Sequence, residues 1–304
     1  MRNTLKLIIG IFILLTLGLA IISTKLIQKY KPQGAEDGKI LSSKVEKTEY
    51  SPVPAAPVFV DDFDNERTLE EAGSMGKSSN SSWWLNSGGV FNINNSIAST
   101  IQGELPVYNP WRIAYSLSNP TDTDSGYHPQ NIFRLVTRSR WQNLRQQLYF
   151  KIIKDNLSSS PQRNESNGVL LFNRYQNGKN LYYTGVRVDG AVVIKKKING
   201  LYYTVAYEKY FPGDYNKQTN PDLLPKNIWI GLKSEVANDQ YGNVDIKVYI
   251  DSGKSNNWTL VLQATDSQGK YGGDIISNEG FAGIRTDFMD VEFSDYSIKE
   301  INNN

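Results

Sequence analysis

The 304-residue sequence has no cysteine and a single histidine, His128. The first absence excludes disulfides, thiolate chemistry and cysteine-held zinc; the second excludes a histidine-rich metal centre. No charge dominates: 33 Lys and Arg stand against 31 Asp and Glu, a net of +2. Without a bulk basic field, nucleic acid is not an expected partner. Beyond the N-terminus no segment carries a long helical period, and no repeat of fixed spacing is visible. What the chain does have is aromatic side chains, with 18 Tyr and 6 Trp. These offer a flat apolar face with a polar handle, which suits strands and binding surfaces.

One long apolar run opens the chain. Leu7 to Ile22 carries no charge, and as a helix Leu5 to Thr24 would be about 30 Å long, enough to cross a bilayer core. In lipid only a helix satisfies its own backbone groups over such a span. Arg2 and Lys6 in front of it would also suit a signal peptide. Its length, and the poor small-x-small pattern around Ala20, favour an uncleaved anchor over residues 1–24. Lys25, Lys29 and Lys31 follow the run, so the positive-inside rule does not orient it. A large C-terminal domain behind an N-terminal anchor is most often exported. The expectation is therefore a single-pass membrane protein with its domain outside the cytoplasm. Residues 25–57 are polar, charged and Pro-punctuated, and read as a flexible tether.

Residues 58–304 read as one all-β domain. "NIFRLVTRSRW", "QQLYFKII", "NGVLLFNRYQ", "LYYTGVRVDG", "AVVIKKKI", "NIWIGLKSEV", "VDIKVYID" and "WTLVLQAT" are short and rich in Val, Ile, Tyr and Phe. Asn177-Gly178, Asp189-Gly190, Asn199-Gly200 and Ser252-Gly253 supply hairpin turn signals between them. In "VDIKVYID" the alternation sends Val244, Ile246, Val248 and Ile250 inward. "ERTLEEAG" is expected to form a short helical turn. In "IKKKI" Lys195 and Lys197 share one face and Lys196 the other, a pattern expected on an edge strand protected against pairing, the alternative being contact with an anionic polymer or headgroup. So many strands in one domain predict a two-sheet antiparallel sandwich or a barrel.

Three stretches, in order, carry a family resemblance: "FVDDFDN" at the start, "NIWIGLKSEV" with "VDIKVYIDSGKSNNWTLVLQAT", and the closing "GFAGIRTDFMDVEFSDYSIKEI". Together they resemble the concanavalin A-like lectin/glucanase superfamily, with a LamG-like jelly roll of two curved antiparallel sheets. The resemblance covers the opening strand and the last third of the chain. It implies that the first and last strands lie together, and that a structural calcium sits between them on Asp62 and Asp295. It also implies that the last strand leaves the core at Asp295, where a carboxylate interrupts the apolar alternation; the alternative is a solvent-facing strand residue after a bulge. Calcium would need further oxygens from carbonyls and water.

The glucanase members use a Glu-x-Asp-x-x-Glu pattern, whose carboxylates flank the scissile bond about 5 Å apart. This chain has none, since Glu292 and Asp295 have the wrong spacing. A uronate lyase would need a cation for the carboxylate and a Tyr or His base. Arg134, Arg138 and Arg140 share one strand face, Tyr149 and Lys151 share a face of the next strand, and His128 lies upstream. Recognition without cleavage needs only rings and polar partners. The ligand-binding candidates are Arg138, Arg140, Tyr149, Lys151, Arg174, Tyr175 and Tyr183. Trp83, Trp84, Trp111 and Trp141 are weighed against core packing, with Trp84 and Trp258 the most core-like. Within Tyr182-Tyr183 and Tyr202-Tyr203, extended backbone sends the two rings to opposite faces. The expected function is a membrane-anchored, extracytoplasmic domain that binds a polysaccharide without cleaving it. The alternatives are a polysaccharide lyase or glycoside hydrolase, and a surface domain that binds a protein.

Overall fold

Apolar alternation sets the layers of this molecule. The computed structural model describes residues 58–301; the expected anchor over 1–24 and tether over 25–57 lie outside the described residues. Among the described residues no helix is long and apolar enough to cross a membrane. The first strands are β1 (Val58–Asp61), β2 (Arg67–Glu70), β3 (Trp83–Ser87), β4 (Val90–Asn94) and β5 (Ile97–Ser99). After helix α1 (Pro110–Ser118) come β6 (Ile132–Trp141), β7 (Leu144–Asp155), β8 (Gly168–Asn177), β9 (Asn180–Arg187), β10 (Ala191–Ile198) and β11 (Leu201–Lys209). The chain closes with β12 (Ile230–Asn238), β13 (Val244–Ser252), β14 (Thr259–Asp266), β15 (Gly280–Asp287) and β16 (Met289–Glu300).

These strands form two antiparallel sheets. A nine-stranded sheet runs β14-β13-β12-β7-β16-β5-β4-β2, with β1 also paired to β16; a seven-stranded sheet runs β11-β10-β9-β8-β15-β6-β3. First and last strands thus lie side by side, with Phe59 opposite Ile298 and Asp61 opposite Tyr296. The inward faces share one core, in which Leu148 and Phe150 of β7, Leu232 of β12 and Phe293 of β16 belong to the same cluster as Leu135 of β6 and Leu171 of β8. Burying each such side chain is worth about 1.5–3 kcal/mol.

At Asp295 the structure follows the alternative, a bulge, and not the exit from the core. The φ of Asp295 is 52°, and the β16–β7 register shifts between Ser294 and Ser297. It is the extra residue of a bulge. Before it β16 pairs with β5, and after it with β1. The strand does not leave the core, because Tyr296 and Ile298 return to it fully buried.

Three local expectations are corrected. "ERTLEEAG" supplies β2, not a helical turn. Among the described residues there is one α-helix: Asn109 caps it by accepting from the N–H groups of Trp111 and Arg112, Pro110 follows, and Trp111, Ala114 and Tyr115 are buried. At nine residues it is too short to show a sustained period. Lastly, β10 is not an edge strand, since β11 pairs outside it. Lys196 is fully buried and ion-paired at 2.9 Å to Asp266 of the facing sheet.

Candidate functional site

The outer face of an antiparallel sandwich sheet is normally polar. That of the seven-stranded sheet is not. Trp84, Phe172, Tyr175, Tyr183, Val193 and Phe281 belong to a second apolar cluster, with Ala72 and Met75 packed against it. It arises from strict alternation. Phe133 and Leu135 of β6 point to the core, so Arg134 and Val136 point away. Ile284 of β15 is core, so Arg285 faces out.

Register then assembles rows across the strands. Arg134 stands opposite Arg285, and Arg285 opposite Leu170. One step along, Val136, Gly283, Phe172, Tyr183 and Lys195 follow one another from β6 to β10. Arg140, Phe281 and Tyr175 make a further row. Gly283 sits at an irregularity of this pairing, where a Cβ would come within 2.2 Å of the Leu135 carbonyl oxygen.

Arg285 is the best-fixed cation of the face. Its Nε donates to both Asp287 oxygens at 2.9 and 3.0 Å. Its Nη1 donates to the Tyr183 hydroxyl at 3.3 Å. The Tyr183 ring stacks on Tyr202, with centroids 6.0 Å apart. Burial raises the Tyr183 hydroxyl pKa. For Tyr202 burial acts in the same direction, but the Arg285 and Lys197 charges outweigh it and bring the phenol down to about 8. Tyr202 is 52% exposed, so this acidic phenol meets solvent. As the alternation predicts, Tyr182 is fully buried on the core side and Tyr203 packs against the core.

Other charges have partners. Arg138 donates to the Asn80 carbonyl at 2.6 Å. Arg140 pairs with Glu279 at 2.8 Å and lies 5.1 Å from the Phe281 ring centroid. Arg187 pairs with Asp189 at 2.9 Å. Among the described residues, half-buried Arg134 and Lys195 make no hydrogen bond or ion pair. Arg134 is near enough to lower the pKa of Glu71, Tyr175 and Tyr183. Burial lowers the Lys195 pKa, reinforced by the charges of Arg187 and Arg285. At the β3 side, Glu71 accepts from the Tyr115 hydroxyl at 2.5 Å and the Gly89 N–H at 2.9 Å. Burial nevertheless lifts its carboxyl pKa to about 7.

The sequence-derived candidates do not form one site. Arg138, Arg140, Tyr175 and Tyr183 belong to this surface. Tyr149 and Lys151 do not, because the turn after Trp141 carries the chain into the other sheet. They lie on the outer face of the nine-stranded sheet, beside Trp229 and Trp258. There Lys151 is 4.8 Å from the Trp229 ring, Lys233 is 4.3 Å from Trp258, and Trp258 lies 5.5 Å from Tyr149. Lys151 is ion-paired to Glu292 at 2.6 Å, and Lys254 to Asp295 at 2.7 Å. Half-buried Trp258 is therefore a surface ring, not a core one. A groove of about 600 Å³ at one end of this face is lined by Arg145, Glu235, Tyr241 and Lys247.

Arg174 reaches neither face. It is fully buried, and its guanidinium donates at 2.7 Å to Gln142 O, Asn238 Oδ1 and Ile276 O. It clamps three loops together, and burial lowers its pKa to about 10. Trp83, Trp111 and Trp141 are buried. His128 is held by Asp124 at 3.0 Å. The donor set does not fit the calcium that the resemblance implies. Asp62 is exposed, Asp295 is occupied by the Lys254 ammonium, and no group of three or more His, Asp or Glu able to hold a metal exists among the described residues. Sequence reasoning missed Arg285, whose signal was its place in the alternation beside Ile284.

No family model matches the chain, and no curated protein matches it in sequence. Solved structures do resemble it. The carbohydrate binding module CBM66 from Bacillus subtilis overlays 56% of this chain and 83% of its own, at 19% identity and a TM-score of 0.40. The GH43 protein BlXynB from Bacillus licheniformis overlays 80% of this chain and 39% of its own, at 10% identity and a TM-score of 0.43. A β-glucanase from Bacillus licheniformis overlays 81% and 99%, at 9% identity and a TM-score of 0.44. These overlaps are loose, and it is the strand order, with first and last strands paired, that makes the chain a two-sheet antiparallel sandwich.

Proposed function

We propose that this chain is a carbohydrate-recognition domain whose binding surface is the outer face of the seven-stranded sheet. The observation that carries this is the composition of that face: an apolar aromatic base edged by arginines and by the exposed ring of Tyr202. A sugar presents an apolar ring face and a rim of hydroxyls; the exposed Tyr202 ring, backed by the buried aromatic base, suits the one and the fixed arginine donors the other. The apolar run over residues 5–24 would hold the domain at a membrane, on the extracytoplasmic side, with residues 25–57 as its tether. Binding of the full-length chain to a glycan array, with the length of the bound polymer unchanged, is the expected outcome. Failure to bind any glycan, with a protein captured instead on the same face, would point to a protein-binding surface domain.

One observation favours cleavage as the second reading. A phenol near pKa 8 beside Arg285 has the character of a base placed next to a carboxylate-neutralising cation. New unsaturated sugar ends, absorbing in the ultraviolet and lost in Tyr202→Phe, would establish a lyase.

A further inference from the structure

The unpartnered cations on this face specify the charge of its ligand. Resting on the carbohydrate reading above, we infer that the glycan is acidic, and that Arg134 and Lys195 read its carboxylate or sulfate groups. On the opposite face of the molecule, Lys151 and Lys254 are already ion-paired, and Lys233 is held over the Tyr249 and Trp258 rings. On the seven-stranded sheet Arg138, Arg140, Arg187 and Arg285 are likewise committed to acceptors. Arg134 and Lys195 are exceptions, half-buried and without a hydrogen bond or ion pair among the described residues; Lys197 is a third, but it lies 4.8 Å from the Tyr202 ring centroid. Removing a cation from water without a partner costs free energy, so a half-buried, uncompensated cation is poised for an anion.

Their placement fits an extended ligand. Arg134 is on β6 and Lys195 on β10, with β15, β8 and β9 between them. At about 4.8 Å per strand they stand roughly 19 Å apart, too far for one sugar. A chain lying across the strands would meet the exposed Tyr202 ring near its Lys195 end, where that ring stacks on buried Tyr183. Arg285, already neutralised by Asp287, orients those rings.

The test uses the full-length chain in detergent against three immobilised polymers: polygalacturonate for carboxylate, dextran sulfate for sulfate, and dextran as the neutral control. Binding to one or both acidic polymers, weakening steeply with added salt, is expected, and which one binds distinguishes the two anions. Arg134→Gln and Lys195→Gln should each weaken it by about tenfold. Neither side chain holds a protein partner, so melting should be unchanged. Equal affinity for dextran, or full affinity in both variants, would overturn the acidic specificity while leaving the carbohydrate reading intact. Loss of all polysaccharide binding in a folded chain would remove both. Tighter binding to a single-stranded oligonucleotide than to either acidic polymer would show a general polyanion surface and overturn the inference as well.

Discussion

Glu71 and Asp222 are carboxyl groups tuned by their surroundings, and both should shape stability against pH. Burial raises Glu71 from 4.5 to about 7. Burial, then the hydrogen bond and charge of Asp155 beside it, raises Asp222 from 3.8 to about 8. In each case the folded state binds the proton more tightly than the unfolded one. Stability is therefore fully present below about pH 4 and declines as pH rises through 7 and then 8. Denaturation midpoints measured from pH 4 to 9 should fall along this course. Glu71→Gln and Asp222→Asn keep the hydrogen-bond acceptors and should flatten it. Tyr202 separates binding from cleavage by sign. Its phenolate forms above about pH 8, adding negative charge among Arg285 and Lys197, so affinity for an acidic polymer should drop there and Tyr202→Phe should abolish the drop. A lyase would instead turn over faster above that pH. At this scale residue types and spacings were legible in the sequence, but pKa values were not, because they depend on Tyr115, Asp155 and Arg285, which are brought close only by folding.

Strands explain why two substitutions should be costly. Lys196 of β10 and Asp266 of β14 form a fully buried ion pair between the sheets, and Tyr182 donates to the same carboxylate at 2.7 Å. Removing one partner leaves a buried charge uncompensated. Lys196→Ala should cost ~3–5 kcal/mol in chemical denaturation, whereas the outward Lys197→Ala should cost little. Gly283 lies where β15 meets β6 irregularly, and a methyl there would strike the Leu135 carbonyl. Gly283→Ala should destabilise by about 1–3 kcal/mol and disturb the row that carries Tyr183. Most strands could be read from alternation and turn dipeptides, "AVVIKKKI" to the residue. The "IKKKI" lysines resembled edge protection because local pattern does not say which strand pairs outside. The bulge at Asp295 resembled an exit from the core because one inserted residue breaks alternation just as an exit would.

The whole molecule has two aromatic, charged faces on opposite sides, and they should behave differently. On the nine-stranded sheet Lys151 and Lys254 are already ion-paired, so Tyr149→Ala and Lys151→Ala should leave affinity for an acidic polymer within about twofold, while Arg134→Gln should not. Equal losses from both faces would mean a ligand that wraps the sandwich. The sequence by itself determined the all-β class, the inward residues of most strands, the apolar run of 5–24 and the absence of cysteine and of a Glu-x-Asp-x-x-Glu pattern, because these follow from composition and from periods of a few residues. It could not assign strands to sheets. Arg138 and Tyr149 are eleven residues apart in chain order, yet they face away from each other, because the turn after Trp141 moves the chain from one layer to the other. Only tertiary structure decided that, since strand pairing is a non-local competition settled by how the whole core closes.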